Sequence, residues 1–348
     1  MRRRLLPHAC MLVTLLAWSS SDAAAKPATS WAQAELRAVV AAGLMAKETA
    51  AHPNDALTRG ELETITSGLL HAPAAAPSTP ATTVTMSALD TRLVTTLGLA
   101  ETAKLFTENA KSAGLTTPAR FGTEAVARLL GLRTNHPAAL DELELSPSEP
   151  ASHAEAAYSA ARILRFGEWD VSAAQELAST FVLPTLTPWQ KQVLTTAVRF
   201  IGYPYIWGGE SETTSSPYGP QVHGGFDCSG FVWRVYKLQS YPKEGKLADA
   251  LKGRTTYAMS GEVGPAMRIS LAKLQPADVI FFGAAGPKSK PGQVNHMGIY
   301  LGNGWFIQSS GYGVAVAPLT GWYAKRFAWG RRPLAEAGLV SARKTYSA

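Results

Sequence analysis

Apolar side chains recur every three to four residues through the first half of the chain, the spacing of one helix face. Leu36, Val39, Val40 and Leu44 follow Trp31 at this spacing, and Thr58 opens a second run. Thr58 is a good N-cap, and Glu61 three places on completes the pattern of a capping box. The stretch 31–70 therefore predicts two helices around a loop. Residues 71–85 are rich in Pro, Ala and Thr and predict a flexible connection. Leu89 to Leu115 predicts one helical stretch ending at Gly114, and Phe121 to Leu132 another with Gly122-Thr123-Glu124 at its start. A third start is predicted at Ser152-His153-Ala154-Glu155. These echoes suit internal repeats, and equally suit any alanine-rich helical region; spacing alone leaves both open.

After residue 187 the texture changes. Residues 187–202 predict an amphipathic helix burying Trp189, Val193, Val198 and Ile201 and ending at Gly202, followed by an aromatic turn at 203–209. In 226–238, Phe231, Val232, Val235 and Tyr236 share one helical face, with the turn and cap formers Asp227 and Ser229 around Cys228. In 294–311 the period falls to two: Met297, Ile299 and Leu301 alternate with Gly298, Tyr300 and Gly302. Asn303-Gly304 then signals a tight hairpin with a return strand from Trp305. Pairing outward from that turn sets Gly302 opposite Trp305 and Ile299 opposite Gln308, with His296 one step beyond Gln308.

Composition narrows the class. The chain has 348 residues, 46% of them apolar and 17% charged, which suits a globular protein of two ordinary domains. Arg2, Arg3 and Arg4, the apolar run from Cys10 to Trp18 and the small exit at Ala23-Ala24-Ala25 read as a secretory leader over 1–25. The apolar run falls short of the roughly 20 residues a span needs, so no membrane span is expected in the mature chain. Cys10 lacks a lipobox and leaves with the leader, so Cys228 is the single mature thiol. In an oxidising compartment such a thiol is either buried or reactive. The formal net charge of +7 favours anionic polymers. Nucleic acid is not expected, because no segment combines clustered Lys and Arg with stacking aromatics. No His/Cys/Asp group has metal-ligand spacing, and GYPYIWGG lacks the Lys-Ser/Thr of a phosphate loop, so no metal or cofactor is expected.

The chemistry gathers on Cys228. At a helix start, free backbone N–H groups and the helix dipole favour a thiolate. The histidines of this half are His223, in a Gly/Ser/Pro-rich loop five residues before the cysteine, and His296, on the predicted hairpin. Gln308 beside His296 would accept from one ring nitrogen and leave the other facing the thiol, a nucleophile, base and orienter.

Two resemblances extend this reading. Trp31-Ala32-Gln33, Gly43-Leu44, Pro53-Asn54 and LTRGE at 57–61 resemble the S-layer homology repeat, with PARFGTE (118–124) and PSEPASHAE (147–155) as further copies. The resemblance implies three repeats in one helical unit that grips an anionic cell-wall polymer through Thr58 and Arg59, with Trp31 contributing. Phe121-Gly122 and Ser152-His153 stand where the later copies would carry an arginine. GYPYIWGG, FDCSGFV, LQPADVIFF (274–282), HMGIYLGNG (296–304) and FAWGRR (327–332) resemble the NlpC family of papain-like cell-wall peptidases. That resemblance implies an α+β fold, a Cys-bearing helix packed on an antiparallel sheet, preceded by the all-α repeat domain. It implies Cys228 as nucleophile, His296 as base and Gln308 as the third polar residue. It further implies Tyr205 near the oxyanion site, and Asp227, Ser229 and Arg254 around the substrate, although the Leu-Pro that normally precedes that arginine is absent. The expected organisation is a leader over 1–25, repeats over 26–165, a linker over 166–188, the peptidase over 189–335 and a tail over 336–348. The expected function is a secreted, wall-associated endopeptidase cutting the stem peptide of peptidoglycan, at the bond between D-glutamate's γ-carboxyl and the diamino acid. A wall-binding protein with an inactive peptidase domain, and an amidase or acyl transferase on the same fold, are the alternatives.

Overall fold

The computed structural model describes residues 30–339 except 75, 137–143 and 244. The expected leader, with Cys10, and residues 340–348 of the expected tail lie outside the described residues.

The first half is helical: α1 (Gln33–Ala41), α2 (Lys47–Ala50), α3 (Arg59–Leu69), α4 (Met86–Thr96), α5 (Ala100–Ser112), α6 (Phe121–Leu129) and α7 (His153–Leu164). Thr58 caps α3 with the expected capping box, its backbone N–H meeting Glu61 Oε2 at 2.8 Å. The single stretch expected over 89–115 is two helices, because the chain turns at Gly98, whose φ of +71° only glycine adopts without strain.

Three chain segments close a ring at the heart of this half. Leu57 N–H donates to Ala151 O at 2.7 Å, Ala151 N–H to Val84 O at 2.7 Å, and Val84 N–H to Leu57 O at 2.9 Å. Each of these residues directly precedes a helix cap: Thr58, Thr85 and Ser152 accept from Glu61, Ala88 and Glu155 N–H respectively. Two residues past each cap, Gly60, Ala154 and Ser87 donate to Pro80, Pro53 and Pro147. The first and third starts are those read from the sequence. The second is not: Phe121-Gly122 is a buried helix start with no side-chain cap, and the ring's second segment ends at Thr85. Met86-Ser87-Ala88 after Thr85 carries neither the arginine nor the glutamate of LTRGE. The end of the stretch expected to be a flexible connection is thereby tied into the ring.

The stretch expected as a linker is also folded. It contains α8 (Asp170–Thr180), and Phe181 is fully buried, 4.9 Å from Phe106 and 5.1 Å from Trp305 between ring centroids. One apolar core runs through both halves, from Ala32 to Leu334.

Helix α9 (Pro188–Arg199) starts on a second capping box at Thr187. Four two-residue strands follow in the long loop, β1 (Glu210–Ser211), β2 (Ser215–Ser216), β3 (Gly219–Pro220) and β4 (Gly225–Phe226), pairing β1 with β4 and β2 with β3. Helix α10 (Cys228–Trp233) runs on through a wider turn over Arg234–Leu238, and α11 (Leu247–Ala250) and α12 (Thr256–Gly261) come next. A five-stranded sheet is built from β5 (Val279–Gly283), β6 (Val294–Gly302), β7 (Trp305–Ser310), β8 (Gly313–Pro318) and β9 (Phe327–Arg331). Its order is β8-β7-β6-β5-β9, antiparallel throughout, with short helices α13 (Gly321–Arg326) and α14 (Pro333–Glu336) flanking β9. Met297, Ile299, Ile307 and Phe281 join the main core, while Ile280, Phe282 and Phe306 form a second cluster on the other face, as strand alternation requires. The architecture is α+β. No described helix is long and apolar enough to cross a membrane.

Candidate active site

Asp227 caps α10, accepting from Gly230 N–H at 2.5 Å and from Gly208 N–H at 2.9 Å. The next residue, Cys228, is therefore held in the first turn, only 8% exposed. Its Sγ lies 3.4 Å from Thr256 Oγ1, with the backbone N–H groups of Ser229 and of Met297 on β6 nearby. Burial pushes the thiol above its ordinary value, and the Asp227 charge adds to this; Thr256 and the two N–H groups pull the other way. The helix end does not leave the cysteine a preformed thiolate, because Asp227 is its cap, places its own negative charge beside the sulfur, and the site is dry.

The hairpin register differs by one residue from simple outward pairing. Gly302 faces Trp305 as expected, but an irregularity between Tyr300 and Gly302 shifts the ladder so that Ile299 faces Ile307. Gly298 then approaches Gln308: a Cβ built on it would stand 3.3 Å from Gln308 Cβ. With His296, Gly298 and Tyr300 on one face, the glycine leaves open the diagonal along which His296 Nε2 meets Gln308 Oε1 in a short hydrogen bond. Gln308 Nε2 donates to Tyr323 Oη at 2.5 Å. With the amide oxygen on the histidine side, Nε2 carries the proton and Nδ1 is the basic nitrogen. Burial pushes His296 below its ordinary value, opposed by the Gln308 bond. Its ring stacks near Phe282, with centroids 5.6 Å apart.

His223 is not at the cysteine. Its Nε2 pairs with Glu149 of the helical half at 3.0 Å and its Nδ1 lies 2.8 Å from Gly224 O. The structure associates His296 with Gln308 and pairs His223 with Glu149 of the helical half.

Tyr205 bridges to Phe226, and its hydroxyl is pushed up by burial, then by the nearby Cys228 and Asp227. Arg254 joins the same cluster, donating to Ser229 Oγ at 2.8 Å and lying 3.4 Å from Asp227 Oδ1. Ser229 Oγ donates to Asp227 Oδ1 at 2.9 Å. Arg254 thus reaches Asp227 and Ser229 without the Leu-Pro that would have marked it. Three contacts were not read from the sequence. Glu210, 3% exposed, accepts from Arg254 Nε at 2.7 Å; a charged residue closing a Gly-rich aromatic turn was its signal. Thr256 sits two places after Arg254, and Tyr323 orients Gln308; no local pattern marks either.

The residues expected to grip a polymer are not all together. Arg59 is exposed and lines a cavity of about 570 Å³ with Glu63, Thr83, Thr85 and Arg92. Thr58 is occupied as a cap. Trp31 is partly buried, stacked on His136 with ring centroids 3.9 Å apart, and does not line that cavity. Among the described residues no group of three or more His, Cys, Asp or Glu side chains has the arrangement of a metal site.

Residues 202–332 match the NlpC/P60 family. Gamma-D-glutamyl-L-lysine dipeptidyl-peptidase of Bacillus subtilis (strain 168) is 29% identical over 133 residues, covering 37% of this chain and 35% of that protein. Murein DD-endopeptidase MepH of Escherichia coli (strain K12) is 33% identical over 144 residues, 41% of this chain and 45% of its own length. Probable peptidoglycan endopeptidase LytE of Bacillus subtilis (strain 168) is 35% identical over 134 residues, 38% of this chain and 31% of its own. In each case the similarity spans less than half of the relative. The helical half lies outside the matched family region, and residues 202–332 of this chain are an NlpC/P60 domain.

Proposed function

We propose that this protein is an exported cysteine endopeptidase that cuts the stem peptide of peptidoglycan, at the bond between the γ-carboxyl of D-glutamate and the diamino acid. The observation that carries the reading is the His296–Gln308 pair on the sheet, bonded to Tyr323 of α13 and beside a helix start whose Cys228 lies near Met297 of β6. The thiol and imidazole rest neutral. On substrate binding His296 Nδ1 takes the thiol proton, Sγ attacks the γ-carbonyl, and Tyr205 stands at the developing oxyanion. The imidazolium then protonates the leaving amine, and a thioester remains on Cys228. Water activated by His296 attacks the thioester, releasing the glutamyl carboxylate and restoring the thiol. The cluster of Asp227, Ser229, Arg254 and Glu210 flanks the cysteine and bounds the substrate on that side.

The relatives named for peptidoglycan cleavage support the substrate class; their names specify different bonds, and the choice among them is ours. Export rests on the leader read at 1–25. Wall anchoring rests on the sequence resemblance over 31–61 to the S-layer homology repeat and on the exposed Arg59 beside its cavity, where an anionic polymer would bind.

The test is to digest purified peptidoglycan with the mature protein and with Cys228→Ala, and to weigh the soluble fragments by mass spectrometry. Fragments that appear with wild type and not with the variant support the reading, and their masses name the bond. Folded wild-type protein that releases nothing from several wall types refutes it. Unchanged wall pull-down by Arg59→Ala removes the anchoring part.

A further inference from the structure

The helical half does more than adjoin the peptidase half. Arg128 on α6 is 5% exposed and donates to Gly202 O at 2.6 Å and to Tyr312 O, while Glu124 and Glu144 hold its charge at 3.2 Å each. Asn135 N–H donates to Gly311 O at 2.6 Å, and Glu149 pairs with His223. Three segments of the peptidase half are thus held from one side, and each lies close in sequence to a site residue. Gly202 precedes Tyr205 by three residues, His223 precedes Cys228 by five, and Gly311 follows Gln308 by three.

The fit is built in by glycine. Gly202 has φ +91°, and a Cβ there would stand 2.6 Å from the Glu124 carboxyl carbon. Gly313 has φ +67°, and a Cβ there would stand 2.5 Å from Arg128 Nη1. Above the guanidinium the two turns lock together, Gly202 N–H to Val314 O at 2.9 Å and Val314 N–H to Tyr203 O at 2.7 Å. One side chain therefore reaches both the turn before Tyr205 and the turn that follows the Gln308 strand, and adds to the backbone bonds between them.

We propose that the helical half is a positioning element of the active site, with Arg128 the residue that holds the Tyr205 turn against the β7–β8 turn. The inference rests on Cys228 being the nucleophile of this cleft. It predicts that turnover depends on the helical half even for a substrate too small to be captured by wall binding. Lysine keeps a positive charge between Glu124 and Glu144 but lacks the planar fork that reaches two carbonyls.

The experiment uses full-length mature protein, wild type and Arg128→Lys, with Arg128→Met beside them. The substrate is the soluble disaccharide-peptide released from peptidoglycan by a muramidase, and Cys228 is titrated separately with iodoacetamide. A displaced turn lowers kcat on the order of 10²-fold while KM stays close to wild type, and opens the buried thiol to faster alkylation. A thermal melt establishes that Arg128→Lys is folded; if Arg128→Met is not, the lysine variant decides. Alkylation at the wild-type rate in Arg128→Lys overturns the inference whether or not turnover is detected. Undiminished kcat on the soluble substrate overturns it likewise. Absence of turnover in the wild type counts against the peptidase reading alone.

Discussion

Replacing Gln308 with glutamate tests the role of the third polar residue through the titration of the second. His296 Nε2 donates to Gln308 Oε1, and Gln308 is 2% exposed, so the new carboxylate would lie against the ring in a dry site. Tyr323 Oη, 2.5 Å from the amide nitrogen, turns to donate to the carboxylate and keeps it in place. In the wild type, burial holds His296 below 6.5, so the acid limb of kcat/KM lies below that pH. An opposite charge in contact raises a histidine by about 1–3 units, or about 1.4–4 kcal/mol. The protonated ring cannot accept the thiol proton, so the acid limb moves up by the same 1–3 units. At a pH below both acid limbs rates fall by about 10- to 10³-fold, while the alkaline plateau is nearly kept. Gln308→Leu is the contrast: it leaves the Nε2 proton without an acceptor at a cost of about 1–3 kcal/mol, or about 5- to 150-fold in rate, with no upward movement of the limb. The assay is the pH profile of kcat/KM for the soluble disaccharide-peptide, from pH 4.5 to 9. An acid limb unmoved in Gln308→Glu, with the Leu variant at wild-type rates, would refute the assignment of Gln308 to the His296 ring.

Other expectations concern stability and assembly. Arg133 is fully buried, bonded to both Asp90 oxygens, Leu132 O and Ser159 Oγ, so Arg133→Met strands a buried carboxylate and costs about 3–5 kcal/mol in denaturant unfolding; a loss below about 1 kcal/mol would contradict this. His223 is raised above 6.5 by Glu149, and Glu149 is lowered below 4.5 by burial-opposing bonds to His223 and Ser146. The His contribution is complete below 6.5 and lost as pH rises through its raised value; the Glu contribution is complete above 4.5 and lost as pH falls through its lowered value. Glu149→Gln is therefore most destabilised relative to wild type between pH 4.5 and 6.5, and the difference between the melting curves should narrow as pH rises through the raised His223 value. Gly298→Ala puts a methyl 2.8 Å from Ile307 O and 2.9 Å from Phe306 Cδ2. It should cost about 1–3 kcal/mol and lower kcat by splaying β6 from β7, and an unchanged melt would show that the strands yield freely.

Much of the site was legible because its signals are local. Asp227 as a cap, Cys228 in the first turn and Asn303-Gly304 as a hairpin each follow from a few neighbouring residues. The capping box at Thr58 and Glu61 is of the same kind. Local rules were less reliable where a small deviation accumulates. The irregularity after Tyr300 moves every pair beyond it by one, which is why Gln308 lies across from Gly298 instead of Ile299. The second segment of the ring was missed for another reason: Thr85 is a cap of ordinary strength, and its place in the ring is set by backbone bonds to Leu57 and Ala151, residues distant in sequence.

The amino-acid sequence by itself determined the helix starts at Thr58, Ser152, Thr187 and Asp227, the alternation of the sheet, Cys228 as the one cysteine after residue 10 and the set of residues able to do thiol chemistry. These follow from backbone geometry and side-chain chemistry over a few residues. Only the tertiary structure decided where His223 goes, what Asp227 and burial do to the thiol, and that the expected linker carries a helix and buries Phe181. It alone showed that Arg128, 100 residues from the cysteine, bonds to Gly202 O three residues before Tyr205. Those outcomes depend on solvent exclusion and on charges brought together by folding, and neither is written in the spacing of neighbours.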